Sequence, residues 1–224
     1  MSDWPRQFAR RIVDGDDRWA LIEEFIAWWY GADFKIDGNT DEEIDEAEAR
    51  IGIKLPTALR RWYRYAGKSL KIVRHQNSFV SLKGLEAPAE SYEHLTIFVE
   101  NQAVVQWAIQ VADLQADDPP VEVFDNDEHF GRDSSTLSEF LLFVVISEAM
   151  ASTGYAAYGD ITPDTDLTEC FELKREPRDW GAGDEMLYLG PDAIISRQSN
   201  MIWARFKSAM ARDIFVATVH ADWR

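Results

Sequence analysis

The histidine, serine and carboxylate side chains of this chain could do chemistry, but their spacing forms no catalytic or metal-binding motif. The four histidines, His75, His94, His129 and His220, are isolated. None lies in an H-E-x-x-H motif or in the Cys/His spacing of a zinc site. The sequence also has no G-x-S-x-G elbow and no G-x-x-x-x-G-K-S/T phosphate loop. We therefore predict no catalytic residue, no metal ligand and no cofactor, in a protein that is not an enzyme.

Acidic residues at alternate positions come nearest to a metal site. Asp125, Asp127 and His129 are each two residues apart, and so are Asp164 and Asp166. Neither pattern has the glycine at the sixth loop position or the glutamate at the twelfth that a calcium loop needs. Any acidic protein also offers many carboxylate pairs of the kind that glycosidases use, so such pairs alone predict no enzyme.

Residues 113–133 have the composition of a protein-binding surface. Eight acids stand there against a single base, and Phe124 and Phe130 are interleaved with them. Aromatic rings supply buried area to an interface, and the flanking charges steer a basic partner. A solvated loop whose phenylalanines turn inward is the alternative, and the sequence leaves both open. The residues that we predict to contact a partner are Asp117, Asp118, Glu122, Phe124, Asp125, Asp127 and Glu128.

The net charge of the chain is −17, from 40 acidic and 23 basic residues. This charge makes nucleic acids and anionic membranes poor partners and a basic protein a natural one. An acidic net charge can also keep a protein soluble without any basic partner, so the charge alone does not distinguish the two roles. Six bases between residues 60 and 74 could bind an anion or RNA, but bases around a helix C-terminus are also what the helix dipole prefers.

The cysteine content and the N-terminal sequence predict a cytoplasmic protein. Cys170 is the only cysteine, which excludes an internal disulfide framework and favours a reducing compartment. The first residues contain no apolar run that resembles a signal peptide, and no stretch approaches a transmembrane length. We expect a monomer.

Residues 40–67 predict two short helices joined by a tight corner. Thr40 and Glu43 have the spacing of a capping box, and the seven acids of residues 37–48 suit the positive end of a helix dipole. Gly52 is placed to end the first helix in the left-handed conformation. Pro56 suits the start of the second helix, which Gly67 ends.

Other elements follow from periodicity and turn residues. After a polar lead-in, a helix is predicted with Asp16 or Asp17 as its cap and Gly31 as its end. Strands are predicted at residues 70–73, 79–82, 95–99 and 105–111, with another beginning at Val121. Thr136 and Glu139 form a second capping box before an apolar segment that we interpret as a helix buried nearly all round.

The C-terminal part predicts a strand at 170–173, a hairpin at 186–196 and a final helix that includes Met210 and Phe215. Residues 201–206 suit either that helix or a strand. Because no linker precedes this part and about seventy residues make a small independent core, we predict that it completes or extends the same sheet. The whole chain, 1–224, is then a single domain with an N-terminal helix in 1–35, a core at about 36–150 and a sheet and helix extension at 151–224.

Three motifs in this order resemble the SUKH superfamily. The first is the corner, with Ile51-Gly52 followed by Leu55-Pro56. The second is a strand ending in Glu100-Asn101-Gln102 before a Trp-bearing strand and Asp118-Pro119-Pro120-Val121, and the third is the capped apolar helix. The resemblance spans about residues 40–150.

The resemblance implies an α+β fold with a mixed, largely antiparallel sheet packed against several helices. It also implies a bacterial immunity protein, which binds a cognate toxin domain, often a nuclease, and neutralises it by masking. A basic nuclease suits an acidic inhibitor, because a nuclease must attract phosphate. Two alternatives stay open: a SUKH-like regulatory or scaffold protein with an endogenous protein partner, and an unrecognised enzyme.

Overall fold

The computed structural model describes residues 3–88, 93–125, 128–162, 164–175, 178–179 and 185–224. The chain divides into two compact units. We call Met1–Ala32, Met150–Arg175 and Ala182–Arg224 the terminal unit, and Asp33–Ala149 with Glu176–Gly181 the central unit. That residues 1–224 form a single domain stays a prediction, because compactness alone does not say whether each unit folds by itself.

The described residues form a mixed α+β fold with two antiparallel sheets, which confirms the predicted fold class. The helices are α1 (Trp4–Asp14), α2 (Arg18–Tyr30), α3 (Asp41–Ile51), α4 (Thr57–Ala66), α5 (Leu70–Val73), α6 (Leu137–Ala151) and α7 (Ala209–Thr218). The strands are β1 (Ser78–Phe79), β2 (His94–Val99), β3 (Val105–Gln110), β4 (Val121–Asp125), β5 (Glu128–Ser134), β6 (Tyr155–Ile161), β7 (Phe171–Glu172), β8 (Met186–Gly190), β9 (Ala193–Gln198), β10 (Met201–Phe206) and β11 (Ala221–Trp223).

The sheet of the central unit is a meander of five strands in the order β1-β2-β3-β4-β5. Helix α6 packs against one of its faces, where the Phe140 ring lies 5.8 Å from the Phe98 ring and 6.4 Å from the Trp107 ring. The apolar side chains of α6 are buried on every side of the helix, as predicted, because the segment has no polar stripe to expose.

The corner between α3 and α4 has the predicted caps. The Thr40 hydroxyl accepts a hydrogen bond from the Glu43 amide at 3.3 Å, and the Glu43 carboxylate accepts one from the Thr40 amide at 3.0 Å. Gly52 ends α3 with a φ of +71°, a left-handed conformation that glycine adopts at little cost. Pro56 directly precedes α4, which buries Leu59, Trp62, Tyr63 and two alanines.

The sheet of the terminal unit has six strands in the order β11-β6-β10-β9-β8-β7. Helix α7 covers one face, with the Phe215 ring 5.1 Å from the Phe206 ring. Helix α2 begins and ends as predicted, since the Asp17 carboxylate accepts from the Trp19 amide at 2.9 Å and Gly31 follows its last residue.

Three predictions about this architecture are wrong. Residues 4–14 form α1 and are not a polar lead-in, because Phe8 and Ile12 lie four residues apart on a buried stripe between arginines. Leu70–Val73 is a helical turn and not a strand, with the Ile72 amide donating to the Ser69 carbonyl at 3.0 Å. The strands beyond residue 154 form their own sheet and do not extend the first one. Residues 201–206, for which the sequence suits either a helix or a strand, form strand β10.

Candidate partner-binding surface

The predicted contact residues centre on the hairpin of β4 and β5, at one edge of the central sheet. Asp125 pairs with Glu128 at the end of the hairpin, and the register shifts twice between Val121 and Phe124. Gly131 lies close to residue 179, whose amide donates to the Arg132 carbonyl at 3.0 Å. The outer edge of β5 is therefore partly satisfied by backbone from the same unit.

Two of the predicted contact residues point into the protein. The Glu122 side chain is only 4% exposed, and it lies 3.1 Å from His129 Nε2 and 3.1 Å from Arg132 Nε. Phe124 is also buried, and its ring stacks on the His94 ring at a centroid distance of 3.9 Å. A buried carboxylate needs such partners, because removing its charge from water is costly. Glu122 and Phe124 thus support the hairpin from inside.

Asp117 and Asp118 hold the starts of two helices. The Thr57 hydroxyl donates to Asp117 Oδ1 at 2.7 Å, and the Ala58 amide donates to the Asp117 carbonyl at 2.8 Å, at the first turn of α4. Asp118 accepts from the Ser138 amide at 2.9 Å and from the Ser138 hydroxyl at 2.6 Å, at the first turn of α6. The segment before β4 is therefore a cap for both helices, and Asp118 is only partly exposed.

The remaining predicted residues lie at the end of the hairpin. Glu128 is exposed and Asp125 is half-buried, while Asp127 falls outside the described residues. Phe130, two residues after Glu128, is 50% exposed. We call Asp125, Glu128 and Phe130 the hairpin surface. It joins two carboxylates to one large apolar side chain, as the sequence predicts for an interface; partner binding by these residues stays a prediction.

Ion pairs to α4 and to Lys68, two residues after its end, neutralise much of the charge of the acidic helix α3. Arg60 lies 2.8 Å from Asp45, Lys68 lies 2.7 Å from Glu43, and Arg64 pairs with Asp41. The hydrogen bonds from Lys68, the Thr40 amide and Asn39 lower the pKa of Glu43 to about 2. Three of the six bases of residues 60–74 thus have acidic partners on α3, which argues against an anion site there.

Two exposed acids of α3, Glu42 and Glu46, are not among the contact residues predicted from the sequence. They lie four residues apart, so they share the outer face of the helix. Helical spacing could have found them, because Ile44, Ala47 and Ile51 mark the opposite, buried face. They add carboxylates to the exposed surface of the central unit.

No three His, Cys, Asp or Glu side chains among the described residues converge to hold a metal ion. Within the same part of the chain, none of the helices has both the length and the apolar composition needed to cross a bilayer.

Comparison with known families gives one match. Residues 38–142 match the family described as SMI1 / KNR4 family (SUKH-1). The matched span contains the α3–α4 corner, all five strands of the central sheet and the beginning of α6. No curated protein and no solved structure matches the chain.

Proposed function

We propose that this chain, whose residues 38–142 match the SMI1/KNR4 (SUKH-1) family, is an immunity protein that binds and neutralises a basic toxin domain of the nuclease type. Toxin immunity is a known role of SUKH domains, and the regulatory and scaffold roles in the same superfamily are the alternative. The observation that carries the proposal is the acidity of the central unit, which has 24 acidic and 12 basic residues.

Charge favours a basic partner for a physical reason. A nuclease active site must attract phosphate, so its surface is positive, and an acidic protein is steered toward it by the opposed fields. Steering of this kind raises association rates by about 10- to 1,000-fold at low salt. The hairpin surface adds the apolar area of Phe130 beside the carboxylates, and buried aromatic area is what commonly anchors an interface.

The proposed mechanism is masking without turnover. The acidic surface would occupy the site at which the toxin binds phosphate and so keep nucleic acid out. Inhibition should then follow the molar ratio of the two proteins and end at equivalence, with the toxin covalently intact. An enzyme that inactivates the toxin would instead act far below equimolar amounts.

The test is co-expression with the toxic protein encoded by the reading frame next to the gene for this chain. We expect rescue of growth, a stable complex on size-exclusion chromatography, and toxin that regains activity after denaturing separation from the complex. An adjacent frame without a toxin, or a toxin that is neither bound nor neutralised, would contradict the proposal. An endogenous cytosolic protein bound in its place would support the regulatory alternative.

A further inference from the structure

One face of the sheet in the terminal unit carries three large exposed side chains. In the β6–β10 pair, Trp203 lies directly opposite Tyr158 and Met201 lies directly opposite Asp160. Residues that pair across antiparallel strands point to the same face, and neighbours along a strand alternate. Because Ile202 and Ala204 point into the core beneath α7, the side chains of Tyr158, Met201 and Trp203 point to the opposite face.

These three side chains form a bounded patch. Tyr158 is 48% exposed, Met201 is 47% exposed and Trp203 is 42% exposed. Further along the same face, Arg205 and Ile194 pair with each other and are buried. A Trp, a Tyr and a Met grouped on an open sheet face are unusual for a solvated surface, whereas these residue types are enriched at interfaces. We call Tyr158, Met201 and Trp203 the Trp203 patch.

The rim of the Trp203 patch is mainly acidic. Asp222 of β11 lies opposite Asp160 of β6, so two carboxylates share this face in directly paired positions. Like charges that face each other across strands destabilise a sheet, and Arg224 relieves part of this cost through its ion pair with Asp160. On the other side of the patch, the Glu185 carboxylate accepts from the hydroxyl of Ser196, which pairs with Trp203.

Aromatic faces beside carboxylates select a cationic partner. Lys and Arg side chains are attracted to the faces of Trp and Tyr, and their charge is complementary to Asp160, Asp222 and Glu185. A second copy of this chain would bring the same acids and another net charge of −17. Nucleic acid bases could stack on the rings, but their phosphates would meet the acidic rim.

We infer that the Trp203 patch is a docking surface for a basic segment of the toxin, with Arg or Lys side chains on Tyr158 and Trp203 and their charges beside the acidic rim. This inference rests on the proposed function for the identity of the partner. It adds a contact surface outside residues 38–142, the span that carries the family match.

The first experiment is hydroxyl-radical footprinting of the full chain, alone and in complex with the toxin encoded by the neighbouring reading frame. Trp, Tyr and Met side chains are all oxidised readily, so the oxidation of each patch residue reports its own exposure to solvent. We expect several-fold lower oxidation of Tyr158, Met201 and Trp203 in the complex. Met210, which is 72% exposed on α7, is the internal reference and should stay equally reactive. Unchanged oxidation of all three patch residues in a formed complex would overturn the inference.

The second experiment compares two variants. Tyr158→Ser with Trp203→Ser should weaken toxin binding at least about tenfold, because aromatic anchors dominate interface energies. Met210→Ser with Ile214→Ser removes two apolar side chains of still greater exposure from α7 and should leave the dissociation constant within about twofold. Equal effects of the two variants, with both folded by circular dichroism, would overturn the inference.

The outcomes also separate this inference from the proposed function. Failure of the wild-type chain to bind the toxin overturns both. Binding and neutralisation that survive in the Tyr158→Ser, Trp203→Ser variant overturn the docking surface alone. Light scattering of the wild-type chain without toxin should give a monomer, and a dimer that the same variant abolishes would assign the patch to self-association instead.

Discussion

At the scale of single residues, Glu48 explains how the corner between α3 and α4 is fixed. Its side chain is 2% exposed, and its carboxylate accepts from the Leu55 amide at 3.0 Å. Lys54 and Arg60 each lie 2.6 Å from it. One carboxylate thus ties the end of α3 to the segment that contains Leu55-Pro56 and to the face of α4.

The pKa of Glu48 has consequences for stability against acid. Burial raises this pKa, but the hydrogen bonds from Lys54, Arg60 and the Leu55 amide outweigh burial and leave the pKa below its usual value. A carboxylate with a depressed pKa in the folded state stabilises the protein above its unfolded pKa, which is about 4.3. That contribution is lost as the pH falls through the folded pKa.

We predict that Glu48→Gln lowers the free energy of unfolding at neutral pH by about 2 kcal/mol, since it removes the buried charge that accepts hydrogen bonds from Lys54 and Arg60. The difference from wild type should begin to shrink below about pH 4.3, where Glu48 of the unfolded chain becomes protonated, and should be smallest below the depressed pKa of Glu48 in the folded protein. Urea titrations between neutral and acidic pH measure both effects. Glu46→Gln, an exposed change on the same helix, should stay within about 0.5 kcal/mol. A pH-independent difference would contradict the assigned role.

Cys170 should be chemically inert in the folded protein. Burial, with the nearby Glu169 and Asp166, raises the pKa of its thiol to about 12. Because the thiolate is the reactive form, we expect native Cys170 to react with a disulfide reagent at about pH 8 at least a hundredfold more slowly than the guanidinium-unfolded chain. Equal rates in the two states would contradict the raised pKa of the thiol in the folded protein.

At the scale of elements, the sequence predicts where helices begin and end. It does not predict which residues meet across paired strands. The capping box at Thr40 and the end of α3 at Gly52 involve residues a few positions apart, so spacing alone predicts them. The burial of Glu122 depends instead on His129 and Arg132 across a hairpin with two register shifts. The density of acids therefore indicates residues 113–133 as a candidate surface, but it does not show which of these residues face outward.

The same distinction explains what was missed in the terminal unit. Met201 and Trp203 alternate along β10, but only the register with β6 brings Tyr158 beside Trp203. Strand periodicity marks faces, and it does not say which sheet a strand joins. The prediction of a hairpin of β8 and β9 is therefore correct, because these strands are adjacent in the chain. The prediction that they join the sheet of the central unit is wrong.

Gly52, at the corner between α3 and α4, allows a prediction about the stability cost of a left-handed residue. A Cβ on Gly52 would meet no atom within 4 Å, so the cost of Gly52→Ala comes from its φ of +71° alone. We expect that cost to be about 1 kcal/mol. Gly84→Ala is the matched control, because its Cβ would lie in ordinary contact, 3.5 Å from the Ser81 hydroxyl and from Val80, without a left-handed φ. Thermal unfolding of both variants measures the stability that each one loses. Equal losses in Gly52→Ala and Gly84→Ala would contradict a cost that comes from the left-handed φ.

At the scale of the whole molecule, the acidic charge is unevenly distributed along the chain. The central unit holds 24 acidic and 12 basic residues, while the terminal unit holds 16 and 11. The ion pairs between α3 and α4 satisfy acids locally without changing this total. A basic partner approaching from a distance responds to total charge, and at contact it responds to the arrangement of individual carboxylates.

The hairpin surface can be tested by neutralising Asp125 and Glu128 together with their sequence neighbour Asp127. We predict that Asp125→Asn, Asp127→Asn and Glu128→Gln in one variant slow association with the toxin by about three- to tenfold at low ionic strength and flatten its salt dependence. The Glu128→Gln change, at an exposed position, should alter stability by less than about 0.5 kcal/mol. Stopped-flow association at several salt concentrations gives both the rate and the slope.

The decisive comparison is with a second variant of equal charge. Asp33→Asn, Glu42→Gln and Glu46→Gln remove three exposed carboxylates from the same central unit, so both variants lose three negative charges from a total of −17. If the hairpin surface meets the toxin, its variant should lose more of the association rate, because screening at about 8 Å leaves only nearby charges effective at physiological salt. Equal slowing by the two variants would mean that the net charge steers the toxin and that the contact lies elsewhere on the molecule.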